Sequence, residues 1–257
     1  MKSRRHLLLS GLAALAFLTP PLAVAEAADS YTTEGVTIRL VTETPDAGGR
    51  LRGAVLFELE PGWKTYWLDP GETGLAPKFD FSGSQGASPP ELAFPAPARL
   101  QEGASKFNGY DEPMAIAFET TARGATGQLA LSFFVGICRE ICVPVTAELS
   151  RDLAAPPSLE NTTAIDRAFL ALPRAGETAS ARIDGEELVL SGAPDERPTG
   201  DLFVSGHDGW SFGQASVEGS DWRVPIRARP EGDDSPSELW AVQVDGDGAS
   251  RFDIDIR

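Results

Sequence analysis

Two β-rich runs, Gln128–Ile137 and Ile141–Leu149, meet at a turn that carries the only two cysteines of the chain, Cys138 and Cys142. This arrangement constrains the fold more than any other feature. The first run alternates, with Leu129, Leu131 and Phe133 on one face against Ala130, Ser132 and Phe134 on the other. Alternation of this kind marks a half-buried strand. A three-residue loop between two such strands predicts a β-hairpin, and the positions flanking the loop then face each other. Their Cα atoms are expected roughly 4.5–5.5 Å apart, within reach of a disulfide.

Further strands are expected at Val36–Thr42, Leu51–Leu59, Lys78–Phe81 and Met114–Thr120. Pro- and Gly-rich stretches separate them, notably Trp67-Leu68-Asp69-Pro70-Gly71-Glu72-Thr73-Gly74 and Ser88-Pro89-Pro90. Short strands at this spacing predict an antiparallel sandwich over residues 28–153. Leu153-Ala154-Ala155-Pro156-Pro157-Ser158 reads as a linker, and residues 154–172 as linker plus one short helix. That helix is predicted at Asn161–Leu172, capped by Asn161-Thr162-Thr163, with Ala164, Ala168, Phe169 and Leu172 as its apolar stripe. Strands then return at Ser180–Ile183, Glu187–Leu190, Leu202–Ser205, Trp222–Ile226, Leu239–Val244 and Phe252–Ile256. Residues 173–257 are therefore expected to form a second, smaller β-sandwich, and the fold class is all-β.

Residues 1–27 read as a cleaved signal peptide. Lys2, Arg4 and Arg5 precede the apolar run Leu7–Leu18, and Ala23-Val24-Ala25 and Ala25-Glu26-Ala27 offer small-x-small cleavage sites. Ser3-Arg4-Arg5-His6-Leu7-Leu8 fits either a twin-arginine signal or an ordinary basic start. No later segment approaches the roughly 18 consecutive apolar residues of a spanning helix. A periplasmic location is expected, with no transmembrane segment in the mature chain. The formal charge is −16, and −18 once the leader is removed. Such acidity excludes nucleic acid and anionic membrane surfaces as natural partners.

Little other chemistry is available. Of the two histidines, His6 leaves with the leader and His207 sits in the polar turn Ser205-Gly206-His207-Asp208-Gly209, a poor place for the base of a triad. Two sulfurs and one distant imidazole do not make a zinc site. Asp245, Asp247 and Asp253 lack the spacing of an EF-hand. No nucleotide fingerprint is present. Neither a metal nor a cofactor is expected.

Thiol–disulfide chemistry remains. Arg139 favours a Cys138 thiolate and Glu140 opposes it, so no strongly acidic thiol is expected from these neighbours. A bridge closing about five residues stabilises by only roughly 2 kcal/mol in the chain-entropy picture. It would also clasp a hairpin already held by its own ladder. The residues alone leave a structural bridge and a working redox pair both open.

Four motifs in residues 31–153 resemble the periplasmic amino-terminal domain of thiol:disulfide interchange proteins of the DsbD/ScsB type. They are Gly62-Trp63-Lys64-Thr65-Tyr66-Trp67-Leu68-Asp69-Pro70-Gly71-Glu72-Thr73-Gly74, Pro77-Lys78-Phe79-Asp80-Phe81, Phe107-Asn108-Gly109-Tyr110 and Cys138-Arg139-Glu140-Ile141-Cys142-Val143-Pro144. The second half is similar to the extra β-domain of the ScsB-like branch, with weaker motifs. The resemblance implies an immunoglobulin-like fold and a cysteine pair that cycles between dithiol and disulfide. It implies a membrane-embedded thiol:disulfide reductase as electron donor and a periplasmic thioredoxin-fold protein as acceptor. Cys142 then forms mixed disulfides and Cys138 resolves them. Phe107, with Tyr110, belongs to a cap that shields the pair, and Tyr66, Arg139 and Glu140 lie near it. Trp63 and Trp67 are expected to pack the core. Members usually continue into a transmembrane and a thioredoxin-like domain, and this chain shows neither, so the donor would be a separate protein. Two other readings fit the residues: a copper(I)-binding protein linked to copper tolerance, which soft thiolates suit, and a non-catalytic interaction module with a structural disulfide.

Overall fold

The computed structural model describes residues 28–257 except 72, 104, 125, 192–197, 207–208, 233–235, 237 and 247. The expected signal peptide, His207 and Asp247 lie outside the described residues.

In chain order the first strands are β1 (Ser30–Thr33), β2 (Val36–Thr42), β3 (Arg50–Leu59), β4 (Lys64–Tyr66), β5 (Lys78–Asp80) and β6 (Glu91–Ala93). They are followed by β7 (Ala98–Glu102), β8 (Ser105–Tyr110), β9 (Met114–Thr121), β10 (Gln128–Cys138) and β11 (Cys142–Asp152). One sheet runs β1-β2-β3-β9-β6 and the other β11-β10-β4-β8-β7, with β5 also paired to β10. All these pairings are antiparallel.

Alternation explains the packing. Leu129, Leu131, Phe133, Val135 and Ile137 of β10 are all buried, and they meet Val36, Ile38, Leu40, Val55 and Phe57 of the facing sheet. Burying a large aliphatic or aromatic side chain stabilises by about 1.5–3 kcal/mol, so this double layer carries the first unit. The near-continuous apolar run of β3 has a second cause. Val41, Ala54, Leu56 and Ala117 point to the opposite face of their sheet and are covered by helix α1 (Leu159–Leu170). The stripe Ala164, Ala168, Phe169 and Leu172 packs there, together with Ile165.

The helix starts earlier than the Asn161 cap predicts. Ser158 is the N-cap, its Oγ accepting from the Asn161 N–H at 3.1 Å. Asn161 instead lies inside the first turn, where its side-chain oxygen accepts from Arg39 of β2 at 2.8 Å. A serine hydroxyl satisfies the orphan N–H equally well, which frees Asn161 for a tertiary contact.

The second unit comprises β12 (Arg174–Ala175), β13 (Ala179–Asp184), β14 (Glu187–Ser191), β15 (Asp201–Gly206) and β16 (Ser211–Phe212). It continues with β17 (Ser216–Glu218), β18 (Asp221–Ala228), β19 (Leu239–Asp245) and β20 (Gly248–Ile256). These make a nine-stranded sheet, β15-β19-β20-β13-β14-β18-β16, with β12 also paired to β20 and β17 to β18. β12 and β13 run parallel to β20 and the other pairs are antiparallel. Leu188, Leu190, Leu202, Val204, Trp222, Val224 and Ala241 gather in one core inside it. A further apolar cluster, Trp67, Tyr110, Phe203 and Val242, joins the two units. Among the described residues no helix is long and apolar enough to cross a membrane.

Candidate redox site

Cys138 ends β10 and Cys142 begins β11, directly opposite each other in the ladder, and their sulfurs are bonded. The Cα atoms are 4.0 Å apart, closer than a free non-hydrogen-bonded pair at about 4.5 Å. The environments of the two cysteines differ sharply. Cys138 is 4% exposed, whereas Cys142 and the turn residues Arg139, Glu140 and Ile141 face solvent.

The burial of Cys138 comes from strands far away in sequence. β4 pairs with β10 so that Lys64 stands opposite Cys138 and Thr65 opposite Ile137, and the buried Thr65 hydroxyl donates to the Gly136 carbonyl at 3.0 Å. β8 then pairs with β4, Tyr66 opposite Gly109, and β7 with β8, Leu100 opposite Phe107. Tyr66, Phe107, Cys138 and Leu100 form one apolar cluster. The Tyr66 and Phe107 rings meet edge to face at 5.1 Å, a favoured aromatic geometry.

Gly136 makes this possible. A Cβ there would lie 2.7 Å from the Tyr66 ring and 3.2 Å from a Leu75 methyl, so a side chain at 136 would displace the tyrosine. The Tyr66 hydroxyl lies 2.9 Å from the Cys142 sulfur and 3.2 Å from that of Cys138. A disulfide sulfur carries no hydrogen, so the phenol is the donor. Burial raises the Tyr66 pKa above its ordinary value, which keeps that proton in place at physiological pH.

A hydrogen bond to a charged group is worth about 1.5–3 kcal/mol, and donation to a thiolate lowers the thiol pKa. Tyr66→Phe is therefore expected to raise the pKa of Cys142 in the reduced protein by about one unit and to slow exchange at neutral pH. The pH dependence of thiol alkylation measures this. An unchanged pKa would refute a role for the hydroxyl.

The expected near-site residues separate into two groups. Tyr66 and Phe107 reach the disulfide cluster, and Arg139 and Glu140 occupy the exposed turn. Tyr110 is a correction. It stands opposite Thr65, and successive residues of a strand point to opposite faces, so its ring lies on the face away from Tyr66 and Phe107. There it joins Trp67 and Phe203 and donates to the Pro95 carbonyl at 2.8 Å. Trp63 packs the first core, as the sequence led us to expect, whereas Trp67 packs between the two units. Leu100 was not foreseen. Nothing local distinguishes it, and only the β7–β8 pairing carries it to the cysteines.

Large apolar residues near the hairpin tip are exposed. Ile141 is 75% and Val143 44% exposed on either side of Cys142, and Leu75 is 36% exposed beside Gly136. Among the described residues no group of three or more His, Cys, Asp or Glu side chains is placed to hold a metal ion. Asp245 instead accepts from the Thr199 hydroxyl, and Asp253 lies 3.8 Å from Arg251.

Residues 39–154 match the family model of the thiol:disulfide interchange protein DsbD, N-terminal. Among solved structures, the fold is similar to the N-terminal periplasmic domain of ScsB from Proteus mirabilis, with a TM-score of 0.68 and 20% identity over 87% of this chain and 95% of that one. The titin domains z1z2 in complex with telethonin align over 88% of this chain and 97% of theirs, at 12% identity and a TM-score of 0.19, too weakly to bear on the fold. A search of curated protein sequences finds no match. The matched residues contain both cysteines of the hairpin tip. The chain carries a DsbD-type amino-terminal domain, which the family match places at residues 39–154.

Proposed function

We propose that the protein is a periplasmic thiol–disulfide carrier that passes electrons through Cys138 and Cys142. In this reading a signal peptide (residues 1–27) directs export, residues 28–153 form the redox domain, and 154–172 connect it to a second β-domain at 173–257. The donor is a membrane-embedded thiol:disulfide reductase and the acceptor a thioredoxin-fold protein. The observation that carries the reading is the asymmetry of the pair: a solvent-exposed Cys142 bonded to a buried Cys138.

The chemistry balances as two successive exchanges. A donor thiolate attacks Sγ of Cys142, and the Cys138 sulfur leaves as a thiolate. The donor's second thiol then displaces Cys142, so the donor ends oxidised and both cysteines end reduced. Toward the acceptor, the Cys142 thiolate attacks the acceptor disulfide. Cys138 then attacks Cys142, releases the reduced acceptor and restores the internal bond. Phe107 and Tyr66 cover Cys138 and keep unrelated thiols from it. Ile141, Val143 and Leu75 supply the apolar contact for a docked partner, since clustered exposed apolar side chains mark interaction surfaces.

The test is the reduction potential of the pair in thiol redox buffers. A value of roughly −270 to −120 mV is the range of exchange proteins, and the carrier requires it. A value below about −300 mV marks a structural bridge and would overturn the reading.

A further inference from the structure

Sheet β11-β10-β4-β8-β7 has a second face at the site, and the second unit covers it. Tyr66 and Phe107 point to the cysteines. Their chain neighbours Trp67 and Asn108 point the other way, by the alternation of extended backbone. Both meet residues of β15 and β19, or the arginine held by them.

Trp67 is fully buried, edge-on to Phe203 at 6.0 Å and to Trp240 at 5.6 Å. Its indole N–H has no hydrogen-bond partner among the described residues, so the ring is held by packing alone. Asn108 is held by bonds. Its amide donates to the Asp69 carbonyl at 2.9 Å, and its side-chain oxygen accepts from Arg99 at 2.6 Å. The same guanidinium donates to Asp201 at 3.2 Å and to the Leu202 carbonyl at 2.7 Å, and it lies 4.2 Å over the Phe203 ring. Arg99 therefore ties Asn108 of the first unit to Asp201, Leu202 and Phe203 of the second. The Trp67 backbone N–H donates to the Asn108 carbonyl at 3.0 Å, which joins the two anchored residues to each other.

A cleft of about 460 Å³ opens at this junction. Leu100 and Phe107 line one side, and Phe212, Gly213 and Arg227 line the other. Phe107 thus borders both the Cys138 cluster and the cleft.

We infer that the second unit is the positioning element of the redox pair. Through Trp67 and the Arg99–Asn108 bond it holds β4 and β8 from behind, and so keeps Tyr66 and Phe107 closed over Cys138. Trp67, Asn108, Arg99 and Phe203 are positioning residues: they act on the sulfurs through their neighbours. The inference deepens the carrier reading and rests on it for its purpose, but not for its measurement.

The experiment follows the rate at which a water-soluble phosphine reduces the disulfide in the full chain, with iodoacetamide alkylation of the reduced thiols as a second readout. Arg99→Lys keeps the charge and loses the fork. Phe203→Leu keeps apolar volume and loses the ring. Each is expected to speed both reactions about tenfold, equivalent to about 1.4 kcal/mol of lost closure. Val224→Ala, in the core of the second unit and in none of the bonds and ring contacts that hold Trp67, Asn108 and Arg99, is expected to lower stability and leave both rates unchanged. Combining Arg99→Lys with Phe107→Ala should be no faster than Phe107→Ala alone, because residues that act through one another are not additive. Rates within twofold of the parent in both single variants, equal acceleration by Val224→Ala, or full additivity would each overturn the inference. A phosphine reduces the bond whatever its potential, so a structural bridge would refute the carrier reading and still leave this comparison to be made.

Discussion

Replacing Cys142 with Ser is expected to abolish electron transfer to a thioredoxin-fold acceptor, whereas Cys138→Ser should accumulate a mixed disulfide through Cys142. The asymmetry of the site requires this. An attacking thiolate has to approach along the S–S axis of the bond it breaks, and Cys142 is the more exposed residue of the two. Cys138 is shut in by Tyr66, Phe107 and Leu100. In Cys138→Ser no internal thiol remains to attack the mixed bond, so the intermediate persists until an external thiol releases it. Non-reducing electrophoresis with a thioredoxin-fold partner reads both outcomes. Full transfer by Cys142→Ser would refute the assignment, and so would trapping at Cys138 instead. Both variants lose the disulfide, so a difference between them reflects the roles of the two sulfurs and not the missing cross-link.

The second large effect concerns Asp69, in the loop behind Asn108. Burial pushes its carboxyl up to about 6 from an ordinary 3.8, against the opposing Gly71 N–H and the Arg99 charge. The folded state therefore holds this proton more tightly than the unfolded chain does. Stability from the protonated form is complete below about pH 3.8 and is lost as the pH rises through about 6. A shift of about two units corresponds to about 3 kcal/mol. Asp69→Asn removes the titration. The variant should gain on the parent as the pH rises from 4 to 8, by about 3 kcal/mol at the upper end. Urea midpoints at several pH values measure it, and a constant difference would refute the buried-carboxyl account. The Asp69 and Pro70 carbonyls of this loop accept from the side-chain amide and backbone N–H of Asn108, so the same titration is felt at the junction that backs the redox site.

Much of the fold was legible because β-structure writes its burial into alternate residues. The long strands β2, β3, β9, β10 and β11 show this pattern or a continuous apolar run, and their predicted ranges differ from the observed ones by only a few residues at the ends. Of the short strands in the first unit only β5 (Lys78–Asp80) was legible, expected at Lys78–Phe81. β4 has three residues, Lys-Thr-Tyr, with no apolar alternation to read, and it forms only because β10 and β8 flank it on both sides. β8 mixes Lys, Asn and Gly among its aromatics and reads as a loop. These two strands carry Tyr66 and Phe107, so the part of the site hardest to see locally is the part that shapes it. Tyr110 shows the same limit. Its motif neighbour Phe107 reaches the cysteines, but three residues along a strand means the opposite face.

By itself the sequence determined an all-β chain, a hairpin with two cysteines facing across its tip, and a core built from alternate positions. Each follows from neighbours in the chain or across one turn. Only the tertiary structure decided that Cys138 is buried and Cys142 exposed, that the Tyr66 hydroxyl reaches both sulfurs, and that Trp67 and Arg99 bind the second unit to the back of the site. Those contacts depend on the order of strands in a sheet and on which face meets which layer. Sheet order is chosen by the total burial of all strands together, and no local pattern encodes it.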